Sequence, residues 1–197
     1  MEKVRIGIVL GLLAMQPLAV FAELSLEETA RQVMIGFQNE DAELINSFID
    51  KDMGLYVLFH RGASANYERL MHINFNQPVP EYLSWPTGGS HIPRNKEFER
   101  RIIPLFECEE GWDREGYFIS GYDSNHKLSA TMAWTKLNDN SVSDADISAA
   151  RKLESDSVRV VAVPDKSNNG LVFHLSQLHG QSNWSLTVVD QVIDCGA

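Results

Sequence analysis

The sequence predicts an α+β fold in which N-terminal helices pack on one face of a mostly antiparallel sheet. Two observations support this prediction. Residues 158–189 read as three consecutive strands separated by turns rich in Asp, Ser, Asn and Gly, which is the pattern of an antiparallel meander. Residues 24–50 instead carry apolar side chains at helical spacing. Such helices need an apolar surface to cover, and the meander supplies it.

The segment 24–50 predicts two short helices. Ser25, with Glu28 three residues later, resembles a capping box at the start of the first helix. The Asn-Glu-Asp sequence at 39–41 interrupts the helical pattern, and a second apolar stripe follows at 44–49. Both stripes are typical of helix faces that pack on a core rather than of a cofactor site.

The middle of the chain combines clear elements with ambiguous ones. Three elements are predicted, namely strands at 55–59 and 116–120 and a helix at 143–155. Residues 67–75 and 128–137 fit either a helix or a strand. Residues 76–95 carry four prolines and a Gly-Gly pair, which predicts a long surface loop, a kind of segment that often carries function.

The meander is predicted from strands at 158–163, 171–175 and 184–189. Period-two alternation places Leu171, Phe173 and Leu175 on one face, and Trp184, Leu186 and Val188 on a matching face. We therefore expect these two sets of side chains to share one buried side of the sheet.

The N-terminus has the three regions of a secretory signal peptide. Lys3 and Arg5 precede an apolar run at 6–20, and small residues stand at the positions that signal cleavage after Ala22. The alternative, a membrane anchor, is disfavoured because a span needs about 20 apolar residues. The sequence thus predicts a signal peptide at 1–22 and a periplasmic or secreted location. The mature chain, 23–197, is predicted to be a single domain with no membrane span.

Two cysteines, Cys108 and Cys195, remain in the predicted mature chain. In an exported protein an even count favours a disulfide, and only one intramolecular pairing exists. The rival interpretation, a reactive thiol or a metal pair, lacks a CxxC motif or a nearby histidine. The bridge would join the end of the chain to its middle and stabilise the fold by about 4–5 kcal/mol in the chain-entropy model.

The charge limits the classes of partner. The chain has a net charge of −10, and loss of Glu2, Lys3 and Arg5 with the signal peptide makes it −11. Nucleic-acid and anionic-membrane binding ordinarily require basic patches, so both are disfavoured. The acidity is compatible with a cationic partner and equally with solubility alone.

No motif in the sequence specifies a reaction, a cofactor or a metal. Six histidines are present (His60, His72, His91, His126, His174 and His179), and none pair at metal-binding spacing. The segment 62–66 fails the nucleophile-elbow pattern at its last position. Glu109, Glu110 and Asp123 could supply paired carboxylates, but on an acidic protein such residues are ordinarily solvated.

Both ends of the domain resemble one superfamily. The first pattern comprises Thr29-Ala30-Arg31, Phe37, Asn39-Glu40-Asp41-Ala42, Leu44 and Phe48. The second is Asn183-Trp184-Ser185-Leu186-Thr187-Val188-Val189-Asp190. Together they resemble the opening helices and last strand of the NTF2-like superfamily, a cone-shaped α+β fold that includes ketosteroid-isomerase-like and polyketide-cyclase-like proteins. The Pro-rich loop and the region of Cys108 have no counterpart in that pattern.

The resemblance implies a curved sheet that encloses a pocket. The residues it would place on the pocket face are Tyr56, Leu58, Tyr117, Ile119, His174 and Thr187, and of these Tyr56, Tyr117, His174 and Thr187 are the candidate ligand-binding residues. His174 leaves the apolar face of its strand by alternation. As a general base it would need an acid or a substrate proton within hydrogen-bond reach, and a surface or hydrogen-bonded structural role is the alternative.

Three functional hypotheses follow. The first is a small, soluble, exported binding or interaction domain without catalysis. The second is an NTF2-like pocket enzyme acting on a small hydrophobic molecule, with His174 or Tyr117 directed into an apolar cavity. The third is an acidic inhibitor of a cationic secreted enzyme, which predicts clustered acids near the loop at 76–95.

Overall fold

The computed structural model describes residues 23–87, 97–100, 102–107, 109–122, 127–166 and 170–191. The helices and strands are, in chain order, α1 (Leu26–Gln38), α2 (Ala42–Ser47), β1 (Leu55–Arg61), β2 (Ser64–Leu70), β3 (Phe106–Glu107), β4 (Gly111–Trp112), β5 (Gly116–Tyr122), α3 (Lys127–Asn138), α4 (Asp144–Ser155), β6 (Ser157–Val163), β7 (Leu171–Gln177) and β8 (Trp184–Asp190). The predicted signal peptide and both Cys108 and Cys195 lie outside the described residues, so the disulfide stays a prediction.

Six strands form one sheet in the order β2-β1-β8-β7-β6-β5. Within it β1 runs parallel to β8, and the other neighbouring pairs are antiparallel. The predicted α+β class and mostly antiparallel sheet are therefore confirmed, including the meander β6-β7-β8. The sheet is not closed, because β2 and β5 are its two edges. The NTF2-like cone stays a prediction.

The two N-terminal helices begin and end where their sequence signals lie. The Ser25 side chain accepts a hydrogen bond from the Glu28 backbone N–H at 3.2 Å and so satisfies an unpaired donor at the start of α1. After α1 the chain turns through Glu40, whose φ is +53°. The Asp41 carboxylate then accepts from the Leu44 N–H at 3.0 Å and starts α2.

The helix α1 covers one face of the sheet. Its apolar stripe is Ala30, Val33, Met34 and Phe37, all fully buried. It packs in one core cluster with alternate residues of β7, namely Leu171, Phe173 and Leu175. This is the packing that the meander pattern predicts for an N-terminal helix.

The opposite face carries α3 and α4. Leu58 packs with Leu128, Met132 and Leu153 in a second cluster, whereas its neighbours on β1 belong to the first. Adjacent strand residues point to opposite faces, so the two clusters lie on opposite sides of the sheet. A third, smaller cluster under β5 and β6 includes Phe118. The fold therefore has three layers, with helices on both faces.

The alternation predicted for β8 is wrong at one point. His174 pairs with Val188 and Leu175 with Leu186, so Thr187 is an extra residue in the ladder. Such a bulge changes the side to which the following residues point. Leu186 accordingly joins the α1 cluster, whereas Val188 joins the cluster under α3 and α4.

Of the two ambiguous segments, the first is a strand only as far as Leu70, and residues 71–75 form neither a helix nor a strand. β2 pairs with β1 across a two-residue turn, Gly62-Ala63, with Gly62 at a φ of +61°. A turn of this length fixes the hairpin register. Residues 128–137 are helical within α3, although exposed apolar side chains at Trp134 and Leu137 blur the periodicity of that segment.

Candidate functional site

A cleft of about 850 Å³ lies beside the β1–β2 hairpin, and we call it the β2 cleft. It is lined by Arg61, residues 68–72, Asn74 and residues 76–82. One wall is therefore the C-terminal half of the edge strand, and the other is the described part of the Pro-rich segment. The sequence predicted a long surface loop in this region, and the described part of that loop forms a concave surface with the hairpin.

Hydrogen bonds hold the loop wall in place. The Asn46 side chain accepts from the Ile73 N–H at 2.6 Å and donates to the Ile73 carbonyl at 3.0 Å. Gln191 donates to the Val79 carbonyl at 3.0 Å, and the Tyr82 hydroxyl donates to the His60 carbonyl at 2.5 Å. These bonds anchor the loop to α2, to the residue after β8 and to β1, so the cleft is largely formed before a ligand arrives.

Aromatic side chains pack between the loop wall of the β2 cleft and the core. The Phe75 ring lies 5.9 Å from Phe37 of α1 and 6.3 Å from Trp85. The Trp85 indole N–H donates to the Asn74 carbonyl at 3.2 Å. Edge-to-face rings at these separations add stabilisation beyond their burial. The base of the loop is thus part of the α1 core.

The cleft is amphipathic and close to neutral. Met71 and Tyr82 are apolar side chains left 49% and 55% exposed there. Arg61 and Glu68 are charged lining residues, and a second Arg and a second Glu balance them at Arg69 and Glu81. The Arg69 guanidinium donates to the Met53 and Asp52 carbonyls at 2.8 and 2.6 Å, which fixes its position.

The edge of β2 beside the cleft has backbone groups that face outward. Arg61 and Ser64 form the hydrogen-bonded pair that closes the turn, so the even-numbered residues of β2 exchange backbone hydrogen bonds with β1. The odd-numbered residues Ala65, Tyr67 and Arg69 therefore direct their backbone N–H and C=O groups away from the sheet. No backbone hydrogen bond from another described segment reaches this edge. The other edge, β5, is covered by Glu99, which bonds to Tyr117 and Ile119 at 2.8 and 3.0 Å.

A second candidate site is a buried polar cluster on the α3/α4 face, which we define as Lys127, Ser157, Arg159, His174 and Asp190. The Asp190 side chain is 1% exposed. Its carboxylate lies 3.0 Å from Lys127 Nζ and 3.5 Å from an Arg159 guanidinium nitrogen. Burial raises the pKa of Asp190, but the charges of Lys127 and Arg159 outweigh it and hold that pKa below the ordinary value. The carboxylate is therefore ionised and paired.

His174 and Ser157 form the other half of the polar cluster. Ser157 Oγ lies 3.0 Å from His174 Nδ1 and donates its proton to the Glu154 carbonyl at 2.9 Å. A hydroxyl has one proton, so in this arrangement His174 Nδ1 is the donor to Ser157. The serine is fully buried and its proton is directed to a backbone carbonyl. This geometry is that of a structural hydrogen-bond chain and not of an activated nucleophile.

The Glu154 side chain extends the chain of contacts to α3. Its carboxylate accepts from the Leu128 and Ser129 backbone N–H groups at 2.6 and 3.2 Å. A carboxylate at this position satisfies the unpaired donors of the helix start and interacts favourably with the helix dipole. α4 therefore caps α3, and both helices are tied to the sheet beneath the polar cluster.

The four predicted ligand-binding residues are distributed over both faces of the sheet. His174 and Thr187 are buried on the α3/α4 face, and Thr187 Oγ1 lies 3.2 Å from Ser176 Oγ. Tyr56 packs on the same face, with its ring 6.3 Å from that of Tyr67. Tyr117 lies on the opposite face in the α1 cluster, where burial raises its pKa despite the charge of Arg31. Their role in ligand binding stays a prediction.

Sequence reasoning missed the charged members of the polar cluster. Arg159 interrupts a β-branched run, and Asp190 ends one. A charge within a strand that is otherwise apolar on both faces is the signal that could have indicated a buried pair. Lys127 carries no such signal, because it begins a helix far away in the sequence.

In the ranges that the structure describes, no group of three or more His, Cys, Asp or Glu side chains could hold a metal ion. No helix in those ranges is long and apolar enough to cross a membrane. No protein-family model, no curated protein and no solved structure matches this chain. The function must therefore be inferred from the cleft and the polar cluster themselves.

Proposed function

We propose that this protein is a small exported binding domain without catalysis, and that its ligand occupies the β2 cleft. The observation that carries the proposal is an open cleft of about 850 Å³ in which Met71 and Tyr82 stay about half exposed. Exposed apolar side chains grouped in a concave, hydrogen-bonded frame are typical of a binding site. The signal-peptide pattern at 1–22 supports the exported location.

The polar cluster supports the non-catalytic half of the proposal. Asp190 is paired with two cations, and the Ser157 proton is committed to a backbone carbonyl. A general base or nucleophile needs a reacting group within reach, whereas these atoms are buried among their own partners. Among the clefts formed by described residues, those beside β2, α2 and α4 are not lined by His174 or Tyr117. The pocket-enzyme hypothesis would need one of them in such a lining.

The balanced charge of the cleft favours a ligand of low net charge. The lining contains two arginines, Arg61 and Arg69, and two glutamates, Glu68 and Glu81. A strongly cationic partner, as the inhibitor hypothesis requires, would find no net negative charge in this lining to attract it. The β2 cleft therefore fits an uncharged, partly apolar ligand better than a basic protein surface.

The test is native mass spectrometry of the mature protein purified from an oxidising compartment. We expect a copurified ligand mass that is lost in the double variant Met71→Ser with Tyr82→Ser. The matched control is Trp134→Ser, because Trp134 is an exposed aromatic of similar exposure, 57%, on α3. A bound mass that survives the double variant, or that is lost equally in the control, would place the ligand elsewhere and contradict the proposal.

A further inference from the structure

We infer that the ligand of the β2 cleft is an extended polypeptide segment that adds to the sheet as a strand beside β2; this inference rests on the proposed function. The outward N–H and C=O groups of Ala65, Tyr67 and Arg69 form a row at the spacing of a β-ladder. Another extended backbone can pair with the alternating donors and acceptors along such a row. Cleft and edge adjoin, since Arg69 belongs to both.

The two edges of the sheet differ in a way that singles out β2. At β5, the backbone of Glu99 occupies outward groups of Tyr117 and Ile119. At β2, no backbone of the described residues does so over the length of the strand. Folded proteins usually protect a flat edge because it invites pairing with other chains. In the described part of the chain the β2 edge has no backbone partner and lies beside an amphipathic cleft, which is what strand addition requires.

The register predicts the side-chain chemistry of the segment. Residues paired with Ala65, Tyr67 and Arg69 would direct their side chains to the α3 face, as those three residues do. The residues between them would lie opposite Glu68 and Leu70 and point to the cleft, where Met71 and Tyr82 are exposed. The segment should therefore be uncharged and apolar at alternate positions.

A second copy of this chain fits the site less well than such a peptide. Antiparallel pairing of two β2 strands about Tyr67 would place Asn66 opposite Glu68 and Ser64 opposite Leu70. Only polar side chains would then meet the cleft, and the apolar surfaces of Met71 and Tyr82 would stay uncovered. The cleft thus selects a partner strand with apolar residues in those positions.

The probe is a library of blocked heptapeptides with threonine at odd positions and Val, Ile, Leu, Phe or Tyr at even positions, titrated into the mature protein. We expect the best member to bind and to slow hydrogen exchange of the Ala65, Tyr67 and Arg69 amides. N-methylation of its amides that face β2 should weaken binding about tenfold, since ladder bonds are lost. N-methylation of the outward amides is the matched control and should leave affinity unchanged.

On the protein side, Ala65→Pro removes an outward N–H that makes no bond to β1, and an edge position of this kind tolerates proline. We expect about three- to tenfold weaker peptide binding from the loss of one ladder bond. Ala65→Val keeps the N–H and is the control. Unchanged spectra for the rest of the protein would show that Ala65→Pro folds, and the peptide N-methylation series does not depend on that variant.

The outcomes separate this inference from the proposed function. Equal effects of the two N-methylation patterns would overturn strand addition. Absence of any binding peptide, while a copurified ligand is still lost with the Met71 and Tyr82 double variant, would overturn the peptide partner and leave the cleft as a binding site. Concentration-dependent protection of the Ala65, Tyr67 and Arg69 amides without peptide would assign the edge to a second copy and also overturn the inference.

Discussion

Replacing Asp190 by asparagine tests the account of the buried polar cluster most directly. The substitution keeps the shape of the side chain and removes its negative charge. Lys127 and Arg159 would then face a neutral amide in a site where the Asp190 side chain is only 1% exposed. Both cations would still be desolvated by burial, but the carboxylate whose attraction offsets that free-energy cost would be absent.

The magnitude follows from the distances. At 3.0 and 3.5 Å, each cation attracts the carboxylate by about 5 kcal/mol at an effective dielectric constant of about 20. Removing one partner of a buried ion pair typically costs about 3–5 kcal/mol once desolvation is included. The Lys127 side chain is 31% exposed and can turn toward water. We therefore expect Asp190→Asn to lower the free energy of unfolding by about 3 kcal/mol, near the lower end of that range.

The assay is urea unfolding at pH 7, in which a loss of this size moves the midpoint by about 1.5 M for a slope of about 2 kcal/mol per M. The control is Asp156→Asn, because the Lys152–Asp156 pair is exposed and pairs of that kind contribute about 0–1 kcal/mol. Equal, small losses in the two variants would refute the reasoning.

Acid unfolding gives a second readout of the same variant. The pKa of Asp190 is lowered in the folded state, whereas the unfolded carboxyl titrates at about 3.9. As the pH falls below about 4, the unfolded chain therefore binds the proton first, and the stabilisation from the pair is lost. The wild-type protein should lose stability more steeply than Asp190→Asn in that range.

Three further predictions concern the scaffold. Gly111→Ala should cost at least about 2 kcal/mol more than Gly180→Ala in urea unfolding, because both glycines have φ above +70° but only the Cβ at 111 would collide with the Lys166 carbonyl; equal costs would contradict this. Ser143→Ala should destabilise α4 by about 1 kcal/mol and raise the pKa of Asp146, which hydrogen bonds from Ser143 now lower; an NMR titration in which that pKa stays unchanged would disprove the cap. Thiol titration of denatured, unreduced mature protein should find no free thiol if the predicted disulfide forms, and two free thiols would exclude it.

Elements with a strong local signal were predicted correctly from the sequence. Ser25 and Asp41 mark the starts of α1 and α2, and Ser143 does the same for α4 with its full capping box. In each case the side chain bonds to a backbone N–H three residues or fewer away, so the signal and the structure lie in the same segment. The meander strands are equally local, because each is set by alternation and a short turn.

The candidate site was predicted only in part, for the opposite reason. A long surface loop was predicted at 76–95, and its described part forms a wall of the β2 cleft. The other wall depended on residues 67–75, whose pattern left helix and strand open. Pairing with β1 across the Gly62-Ala63 turn decides that question, and β2 is an edge strand because β1 takes β8 as its other neighbour.

The sequence by itself determined the α+β class, the N-terminal helices and the order of the meander strands, because these depend on spacing and capping within short segments. Only the tertiary structure decided that β1 lies parallel to β8, that Thr187 is a bulge, and that Lys127 meets Asp190 across 63 positions. Such contacts are selected by the packing of whole layers. The sequence of a single segment does not specify which distant residues will pair with its charged side chains or with its strand edge.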